Sequence, residues 1–397
     1  MSPTALSVRA ADDDLWQQYT SLATRSYGHP VEDLPRLRQY ADAQVALRDG
    51  RVVAGGLGLL VPQYFGGRTV PAAFLSGGCV APEERGNQLA AWMLTQRLRP
   101  LQEQGAVLAT VWTASTDYAR RLGFHAPTEV FSWTVPTADL SRVADTSGER
   151  ETEVEVTHGL TEAARRGQRD LAAAWNGPWQ RPPWWDQWQQ DAHPGLDTYS
   201  FTTPGAGPAG MMSLAVNSLD GGDRQLTVHD FWADDDRMAA GMFRFLARYA
   251  SRIPTVAFQR TGLPPAALLP HALRRAGAAT ARAWHPWMLR VLDLEQAVRL
   301  RGWPQHLDVA LPIEVAADPA HPRQRWTLVI TGGKGELGPS TRAGEVTLTR
   351  GQFAVWYAGG YRSAAAAALG GLRGVPDAVA RLVAATCEAA PWLPEYF

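Results

Sequence analysis

Two short segments of the chain combine residue types that could hold an anion and move a proton. The first, Leu75–Ala90 (LSGGCVAPEERGNQLA), leads from a strand-like stretch through a turn into the start of a helix. Free backbone N–H groups and the positive end of the helix dipole make such a start a site for an anion such as phosphate. The second, Ala114–Phe124, places Tyr118 at the start of a short helix beside a strand end, where a phenol can act as a general acid.

Three blocks of mixed strand and helix patterns carry these segments, which predicts domains at 1–140, 150–293 and 294–397. The polar stretch Thr137–Glu153 is typical of a linker between the first two blocks. The second block repeats the element order of the first. The predicted elements of the first block are the helices Asp12–Tyr27, Gln88 to about Pro100 and Tyr118–Leu122, and the strands Asp42–Leu47, Val52–Val61, Ala72–Val80, Val107–Trp112 and Val130–Val135.

Composition excludes several classes of function. The 397 residues carry a net charge of -1, which gives no footprint for bulk nucleic-acid or anionic-membrane binding. The two cysteines, Cys79 and Cys387, lack the spacing of a disulfide framework or a zinc site, and Asp234–Asp236 is typical of a helix N-cap, so no metal is expected. The chain shows neither a secretory signal nor a long apolar run, which predicts a cytoplasmic protein with no membrane partner.

Four segments together resemble one protein family. They are Val80–Arg85 (VAPEER), Ala114–Phe124 (ASTDYARRLGF), Arg181–Asp186 (RPPWWD) and the terminal aromatic Phe397. The first two resemble the GNAT superfamily of N-acetyltransferases, and the whole layout resembles its enhanced intracellular survival (Eis) family. The resemblance implies an α/β (α+β) fold, with two tandem acetyltransferase-like mixed-sheet domains and a C-terminal sterol-carrier-like α+β domain.

The same resemblance implies an activity. Such an enzyme moves an acyl group, typically acetyl from acetyl-CoA, to the amine of a small metabolite or natural product. Tyr118 would protonate the departing thiolate, and the terminal carboxylate on Phe397 would be the general base for the amine. The apolar run Pro391–Phe397 predicts a docked tail. By resemblance the chain would form a homo-oligomer, a trimer or hexamer.

The resemblance also implies two sets of contact residues. Residues expected at the donor are Cys79, Val80, Arg85, Gly86, Gln88, Leu89 and Ser115. Residues expected at the acceptor are Tyr27, His29, Ser76, Trp185 and Tyr396.

The chain departs from the family pattern on the donor side. Gln88 stands where the superfamily pattern has a glycine, which predicts weaker binding of CoA. Glu83 and Glu84 precede Arg85, and carboxylates beside a pyrophosphate are unfavourable unless they point away.

On the acceptor side, His29 and Tyr396 stand where the family has acidic residues. That change argues against a polycationic aminoglycoside as the acceptor and favours a flatter, less charged amine.

Two other functions fit the same residues. The fold could take its acyl group from an aminoacyl-tRNA, in which case a patch formed by Arg120, Arg121, Arg165 and Arg166 would contact RNA. Alternatively, the chain could be a non-catalytic protein that binds small molecules in an aromatic pocket. The cluster Trp184–Trp188 fits either a substrate wall or an interdomain core.

Overall fold

The structure is a computed structural model that describes residues 6–144, 154–203, 208–219, 222–266, 268–275, 279–318 and 321–396. Within these ranges the helices are α1 Asp13–Tyr27, α2 Asp33–Leu37, α3 Leu89–Glu103, α4 Thr116–Arg121, α5 Leu140–Ala144, α6 Glu162–Ala173, α7 Trp185–Ala192, α8 Asp236–Ala247, α9 Leu268–Arg275, α10 Leu294–Leu300, α11 Arg350–Tyr357, α12 Ala364–Leu369 and α13 Pro376–Ala384.

The strands follow in the same order. They are β1 Ser7–Ala10, β2 Asp42–Arg48, β3 Arg51–Phe65, β4 Arg68–Val80, β5 Leu108–Trp112, β6 Val130–Pro136, β7 Glu155–His158, β8 Asp197–Thr202, β9 Pro208–Ser218, β10 Arg224–Ala233, β11 Thr255–Phe258, β12 Thr280–Trp284, β13 Trp287–Val291, β14 Val309–Val315, β15 Gln324–Thr331, β16 Lys334–Pro339, β17 Val346–Leu348 and β18 Arg373–Gly374.

The strands form three sheets, in the orders β1-β2-β3-β4-β5-β13, β12-β6-β11-β10-β9-β8-β7 and β16-β15-β14-β17-β18. Each sheet contains one parallel pair among antiparallel ones: β4 with β5, β10 with β11, and β14 with β17. The mixed α/β fold class expected from the sequence is thereby confirmed.

The first two sheets exchange strands. Strand β13 pairs antiparallel with β5 of the first sheet, whereas β6 pairs with both β11 and β12 of the second. Each sheet is therefore completed by a strand from the other sequence block. The two blocks cannot separate without exposing strand edges.

The helix α3 is longer than the sequence predicts. The expected end near Pro100 is wrong, because the helix continues through Pro100 to Glu103. Proline removes one helical hydrogen bond. Leu98 and Leu101, three residues apart on one face, are almost fully buried, and their burial offsets that loss.

The predicted linker is partly ordered. After a 3-10 turn at Thr137–Asp139, α5 buries Leu140 and Val143 in the core of the second sheet. Residues 145–153 lie outside the described residues.

One apolar core joins the first sheet to the third. It runs from Tyr19 and Phe74 under the first sheet to Trp303 and Trp356 of the third block. One close contact between the two units lies where the β3–β4 turn meets the chain after α10. A Cβ built on Gly66 would overlap the carbonyl oxygen of Gly302. These two backbones can approach only because both positions are glycine.

We expect Gly66→Ala to weaken the junction of the first and third units. Gly67→Ala is the matched control, because both glycines have a positive φ but a Cβ on Gly67 would meet only the Ala173 carbonyl oxygen, at 3.9 Å. Alanine at a positive φ destabilises the folded state of both variants by about 1–2 kcal/mol. Only Gly66→Ala adds overpacking of about 1–3 kcal/mol, so its unfolding midpoint should lie below that of the control. Equal midpoints would contradict this account of the junction.

Candidate acyl-transfer site

The first sheet opens beside the segment that the sequence singles out. Strands β4 and β5 pair in parallel only from Ala72 to Leu75, opposite Leu108 to Val111. Beyond that point β4 continues to Val80 without β5, so the two strands splay. The splay exposes strand-end backbone to an extended ligand.

A buried arginine fixes the shape of β4 at this point. The register of β3 against β4 shifts between Gly55 and Leu57, and the guanidinium of Arg97 lies under this bulge. Arg97 donates to the carbonyl oxygens of Leu57 and, at 2.6 Å, of Ser76. A Cβ on Gly56 would overlap the guanidinium. Ser76, expected at the acceptor, therefore contributes a backbone carbonyl that anchors the bulge.

Two tyrosines of α1 hold the next carbonyls of β4. Tyr19 donates to Gly77 O at 2.7 Å, and Tyr27 donates to Gly78 O at 2.9 Å. The ring of Tyr27 is half-exposed while its hydroxyl is enclosed, and burial raises the pKa of Tyr27 to about 12. Tyr27 thus lies beside the splay, and its contact with the acceptor stays a prediction. His29 is near it, with ring centroids 6.4 Å apart, but Nδ1 of His29 contacts Pro30 O.

The loop after β4 is arranged for an anion. Glu83 pairs with Arg25 and Glu84 with Arg48, each at 3.1 Å. The two carboxylates that would repel a pyrophosphate are therefore engaged with arginines of α1 and β2. Arg85 is exposed and donates to Ser26 O at 3.4 Å, but it pairs with neither of these carboxylates.

The loop ends at the uncapped start of α3. Gln88 precedes this helix in a left-handed conformation (φ 56°), the conformation that favours glycine, and its side chain does not cap the helix. Gly86 also has a positive φ, 90°. The first N–H groups of α3, beginning at Leu89, have no helical partner, and an anion can satisfy them.

Tyr118 lies in the first turn of α4, directly after β5, and its side chain is 38% exposed. Burial of the rest of the ring raises the pKa of Tyr118, so the phenol stays protonated at neutral pH. Ser115 occupies the N-cap position of α4 without a side-chain capping hydrogen bond, and its N–H donates to Thr113 Oγ1 at 3.0 Å. The geometry leaves the phenol of Tyr118 able to donate a proton.

Cys79 and Val80 form the end of β4. Burial raises the pKa of the Cys79 thiol to about 12, so this cysteine stays a neutral thiol. The carbonyl of Val80 accepts from Ser26 Oγ at 3.3 Å.

The C-terminal tail reaches the same region through a buried ionic network. Arg181 bonds both oxygens of Asp230, and its Nε donates to Glu395 at 2.9 Å. Glu395 also accepts from the backbone N–H of Trp179 at 3.1 Å, and Gln189 donates to Asp230 at 3.0 Å. Asp230 and Glu395 are 1% and 0% exposed, so the network is sealed from water.

The charges of this network compensate one another. Burial disfavours the Arg181 cation, but the two carboxylates outweigh it and raise the pKa of Arg181. Burial acts to raise the pKa of Asp230, yet the Arg181 cation more than offsets it and the pKa of Asp230 is lowered. For Glu395 burial prevails over the Arg181 cation, and the nearby charge of Asp230 acts in the same direction as burial, so the pKa of Glu395 is raised.

The network places Tyr396 beside the first splay. Trp112, at the end of β5, donates to Glu395 O at 2.9 Å, and the Trp112 and Tyr396 rings lie 5.6 Å apart. Trp392 and Leu393 are buried, in agreement with the predicted docked tail. Phe397, the expected general base, lies outside the described residues.

Trp185 lies in the core. It is 2% exposed, packs on Trp188 and Trp179 with centroids 5.0 and 5.3 Å apart, and lies under the Arg181 guanidinium. This setting fits the interdomain-core interpretation of the tryptophan cluster. Trp184 is less buried and stacks on Tyr40 at 4.2 Å.

The second sheet has a similar splay, but the tail occupies it. Strands β10 and β11 pair in parallel up to Val228 and Phe258, and β10 then bulges before Asp230. Trp392 lies between the two strand ends. Its indole N–H donates to Thr261 O at 2.9 Å, and its ring contacts Trp232 at 4.6 Å. Of the two splays, the first is therefore the better candidate for a donor site.

The arginines of the tRNA alternative are partly neutralised. Arg120 lies 3.8 Å from Asp117, and Arg165 lies 2.9 Å from Asp186. Among the residues placed in the structure, no group of histidine, cysteine and acidic side chains could hold a metal ion. No helix in the described part of the chain is long and apolar enough to cross a membrane.

Sequence reasoning missed four side chains of this region: Arg97, Asp230, Arg260 and Glu395. Each acts through a tertiary contact with a distant element. The only local signal was the motif containing Arg181, which gives no indication of its partners.

Comparison with known proteins shows which domains the chain contains. Residues 7–126 match an acetyltransferase (GNAT) domain model, 177–291 match a second GNAT domain model, and 294–394 match a sterol carrier protein domain. A protein of Streptomyces avermitilis, described as an uncharacterized N-acetyltransferase, is 28% identical over 352 residues, or 84% of this chain and 82% of its own.

Two solved structures show the fold over the whole chain. A GCN5-related N-acetyltransferase from Anabaena variabilis superposes with a TM-score of 0.83 at 20% identity, covering 99% of this chain and 100% of its own. Eis1 from Mycobacterium abscessus superposes with a TM-score of 0.74 at 17% identity and the same coverage.

The chain is an N-acyltransferase of the GNAT class, an enzyme that transfers an acyl group to an amine. Its two GNAT domains are followed by a sterol carrier protein domain, and the predicted resemblance to the Eis architecture is confirmed. The domain class implies a donor of the acetyl-CoA type and a small-molecule acceptor.

We expect Glu395→Gln to loosen the tail. The variant removes one charged partner of Arg181, and hydrogen bonds to charged groups are worth about 1.5–3 kcal/mol. Glu388→Gln is the control, because Glu388 is 58% exposed and, among the residues that the structure describes, its only ion pair is with His306, at 3.6 Å. Thermal unfolding and carboxypeptidase digestion should distinguish the two variants. A Glu395→Gln protein as stable and resistant as the control would contradict the anchoring role.

Proposed function

We propose that the first GNAT domain binds acetyl-CoA in the β4–β5 splay and transfers its acetyl group to a small amine held beside the tail. The observation that carries this proposal is the uncapped start of α3 at the end of the splayed β4. The loop Arg85–Gln88 and the first N–H groups of α3 would receive the pyrophosphate.

The residues present fit this donor. Glu83 and Glu84 are engaged by Arg25 and Arg48, so they do not repel it. Gln88 already adopts the left-handed backbone that the superfamily's glycine provides. Having Gln88 in place of glycine therefore adds about 1–2 kcal/mol of backbone strain. The loop keeps its shape.

Proton transfers in this proposal involve two groups. The amine nitrogen attacks the thioester carbonyl carbon, the new C–N bond forms, and the C–S bond breaks. Tyr118 gives its proton to the departing thiolate. The amine proton goes to a base, which the resemblance assigns to the terminal carboxylate of Phe397.

The acceptor would lie between the first and second GNAT domains. Tyr27 and Tyr396 lie on this side, and the imidazoles of His193 and His229 stack with centroids 4.0 Å apart. Burial, with His193 nearby, lowers the pKa of His229 to about 3, so His229 is uncharged at neutral pH. An imidazole carries no negative charge in either protonation state, so these two histidines offer a polycationic aminoglycoside no counter-charge. A trimeric or hexameric assembly remains an expectation by resemblance, and a cytoplasmic location remains an expectation from the sequence.

Calorimetric titration with acetyl-CoA tests the donor. We expect saturable micromolar binding to the wild-type protein and binding at least as tight to Gln88→Gly, because glycine relieves the positive φ. Asn87→Gly is the control for added loop flexibility. An absence of binding at millimolar CoA in both the wild-type protein and Gln88→Gly would overturn the donor assignment.

We expect Tyr118→Phe to lower kcat about 100-fold or more, since a positioned general acid contributes about 10²–10⁴. The dissociation constant for acetyl-CoA should not change. Tyr249→Phe, which removes a hydroxyl remote from the splay, serves as the control. Stopped-flow detection of released thiol measures both variants, and wild-type turnover by Tyr118→Phe would exclude it as the acid.

A further inference from the structure

One arginine beside the tail keeps a guanidinium without a partner. Arg260 follows β11, and among the described residues its side chain forms neither a hydrogen bond nor an ion pair. Its guanidinium carbon lies 3.4 Å from the centroid of the Tyr396 ring and 5.4 Å from that of Trp284. The nearby Arg181, in contrast, is saturated by two carboxylates.

The backbone of Arg260 is held in an unfavourable conformation. Its φ is 52°, in the left-handed region that costs a non-glycine residue about 1–2 kcal/mol. The N–H of Arg260 donates to Ser132 Oγ on β6 at 2.9 Å, which fixes that conformation. Strain of this kind is concentrated at ligand sites.

The surroundings leave the positive charge of Arg260 available. Asp33, the carboxylate whose charge reaches Arg260, pairs with Arg36 at 3.5 Å. The facing imidazoles of His193, His229 and His285 all have lowered pKa values, with burial the largest cause, so they add no charge at neutral pH.

Arg260 also lines a cavity of about 280 Å³, large enough for a compact aromatic or amino-acid-sized ligand. Trp112, at the end of β5, and the tail residues Trp392 and Leu393 form part of the wall. Arg274 adds a second cation and Glu129 an exposed carboxylate. The cavity therefore joins an apolar aromatic wall to a cation, beside the end of β5, the strand that precedes α4 and Tyr118.

We propose that Arg260 binds the carboxylate of the acyl acceptor, so that the acceptor is an amine that also carries a carboxylate, as an amino acid or a close analogue does. A guanidinium presents parallel N–H groups that match the two oxygens of a carboxylate. The Tyr396 ring lies against the Arg260 guanidinium and limits the orientations that its N–H groups can take. The inference rests on the proposed function, because it assumes that the acceptor enters beside the tail.

Binding of simple probes tests the proposal without knowledge of the acceptor. Indole-3-acetate is compared with neutral indole-3-acetamide by isothermal titration calorimetry, and phenyl phosphate is included as a third probe. We expect the carboxylate to bind about 10- to 100-fold more tightly than the amide, the value of a hydrogen-bonded charge pair. Equal affinities, no carboxylate binding up to 10 mM, or tighter binding of phenyl phosphate would each overturn the carboxylate assignment.

Substitutions of single arginines show which residue produces the preference for the carboxylate probe over the amide. Arg260→Asn should abolish it, because asparagine tolerates the left-handed backbone and keeps the fold while removing the charge. Arg260→Lys should retain part of it, and the remote Arg248→Asn should retain all of it. Loss of the preference in Arg274→Asn but not in Arg260→Asn would overturn the assignment to Arg260.

Acetyl-CoA titration of the same proteins separates the two proposals. Donor binding without a carboxylate preference removes only the inference about Arg260. A carboxylate preference without donor binding removes the donor assignment and leaves the carboxylate site.

Acetylation of tryptophan against tryptamine, at saturating acetyl-CoA, then measures the preference in kcat/KM. We expect kcat/KM to be higher for tryptophan than for tryptamine in the wild-type protein. In Arg260→Asn we expect this difference to disappear. A ratio favouring tryptamine would contradict the proposal.

Discussion

The buried ion pairs of Arg181 with Asp230 and Glu395 connect all three units of the chain. Arg181 and Asp230 belong to the second GNAT domain, and Glu395 to the tail of the sterol carrier domain. The backbone of Glu395 is in turn bonded by Trp112 of the first GNAT domain. Removing one partner from such a network leaves a buried charge uncompensated. The position of the tail beside the first splay therefore depends on an interaction formed largely in the second domain.

The β4–β5 splay and the β10–β11 splay have different roles. Each follows a short parallel strand pair and a bulge, and each bulge lies against a buried arginine. In the first, Arg97 bonds carbonyl groups and the strand leads into the loop that we propose binds the pyrophosphate. In the second, Arg181 bonds carboxylates and Trp392 fills the gap. The repeat of one architecture thus supplies the proposed donor site in one copy and an anchor for the tail in the other.

The sequence predicts best the features of the site that depend on residues close together in the chain. The strand, turn and helix around Arg85 and the position of Tyr118 follow from neighbouring residues, and the aromatic tail follows from composition. The strand exchange between β6 and β13 could not be predicted, because either strand satisfies the same hydrophobic pattern in either sheet. Arg97, Arg260 and Glu395 were missed for a related reason. An arginine or glutamate in sequence gives no sign that it will be buried, and its partners are far along the chain.

Hydrogen exchange of the full chain with and without CoA tests most directly whether the first splay is the donor site. The account predicts slower exchange of the amides of Gly77–Val80 and of Leu89–Ala91 at the start of α3. It predicts no change at the second splay, around Asp230 and Thr261, where Trp392 occupies the gap. Protection confined to the second splay, or to neither, would contradict it.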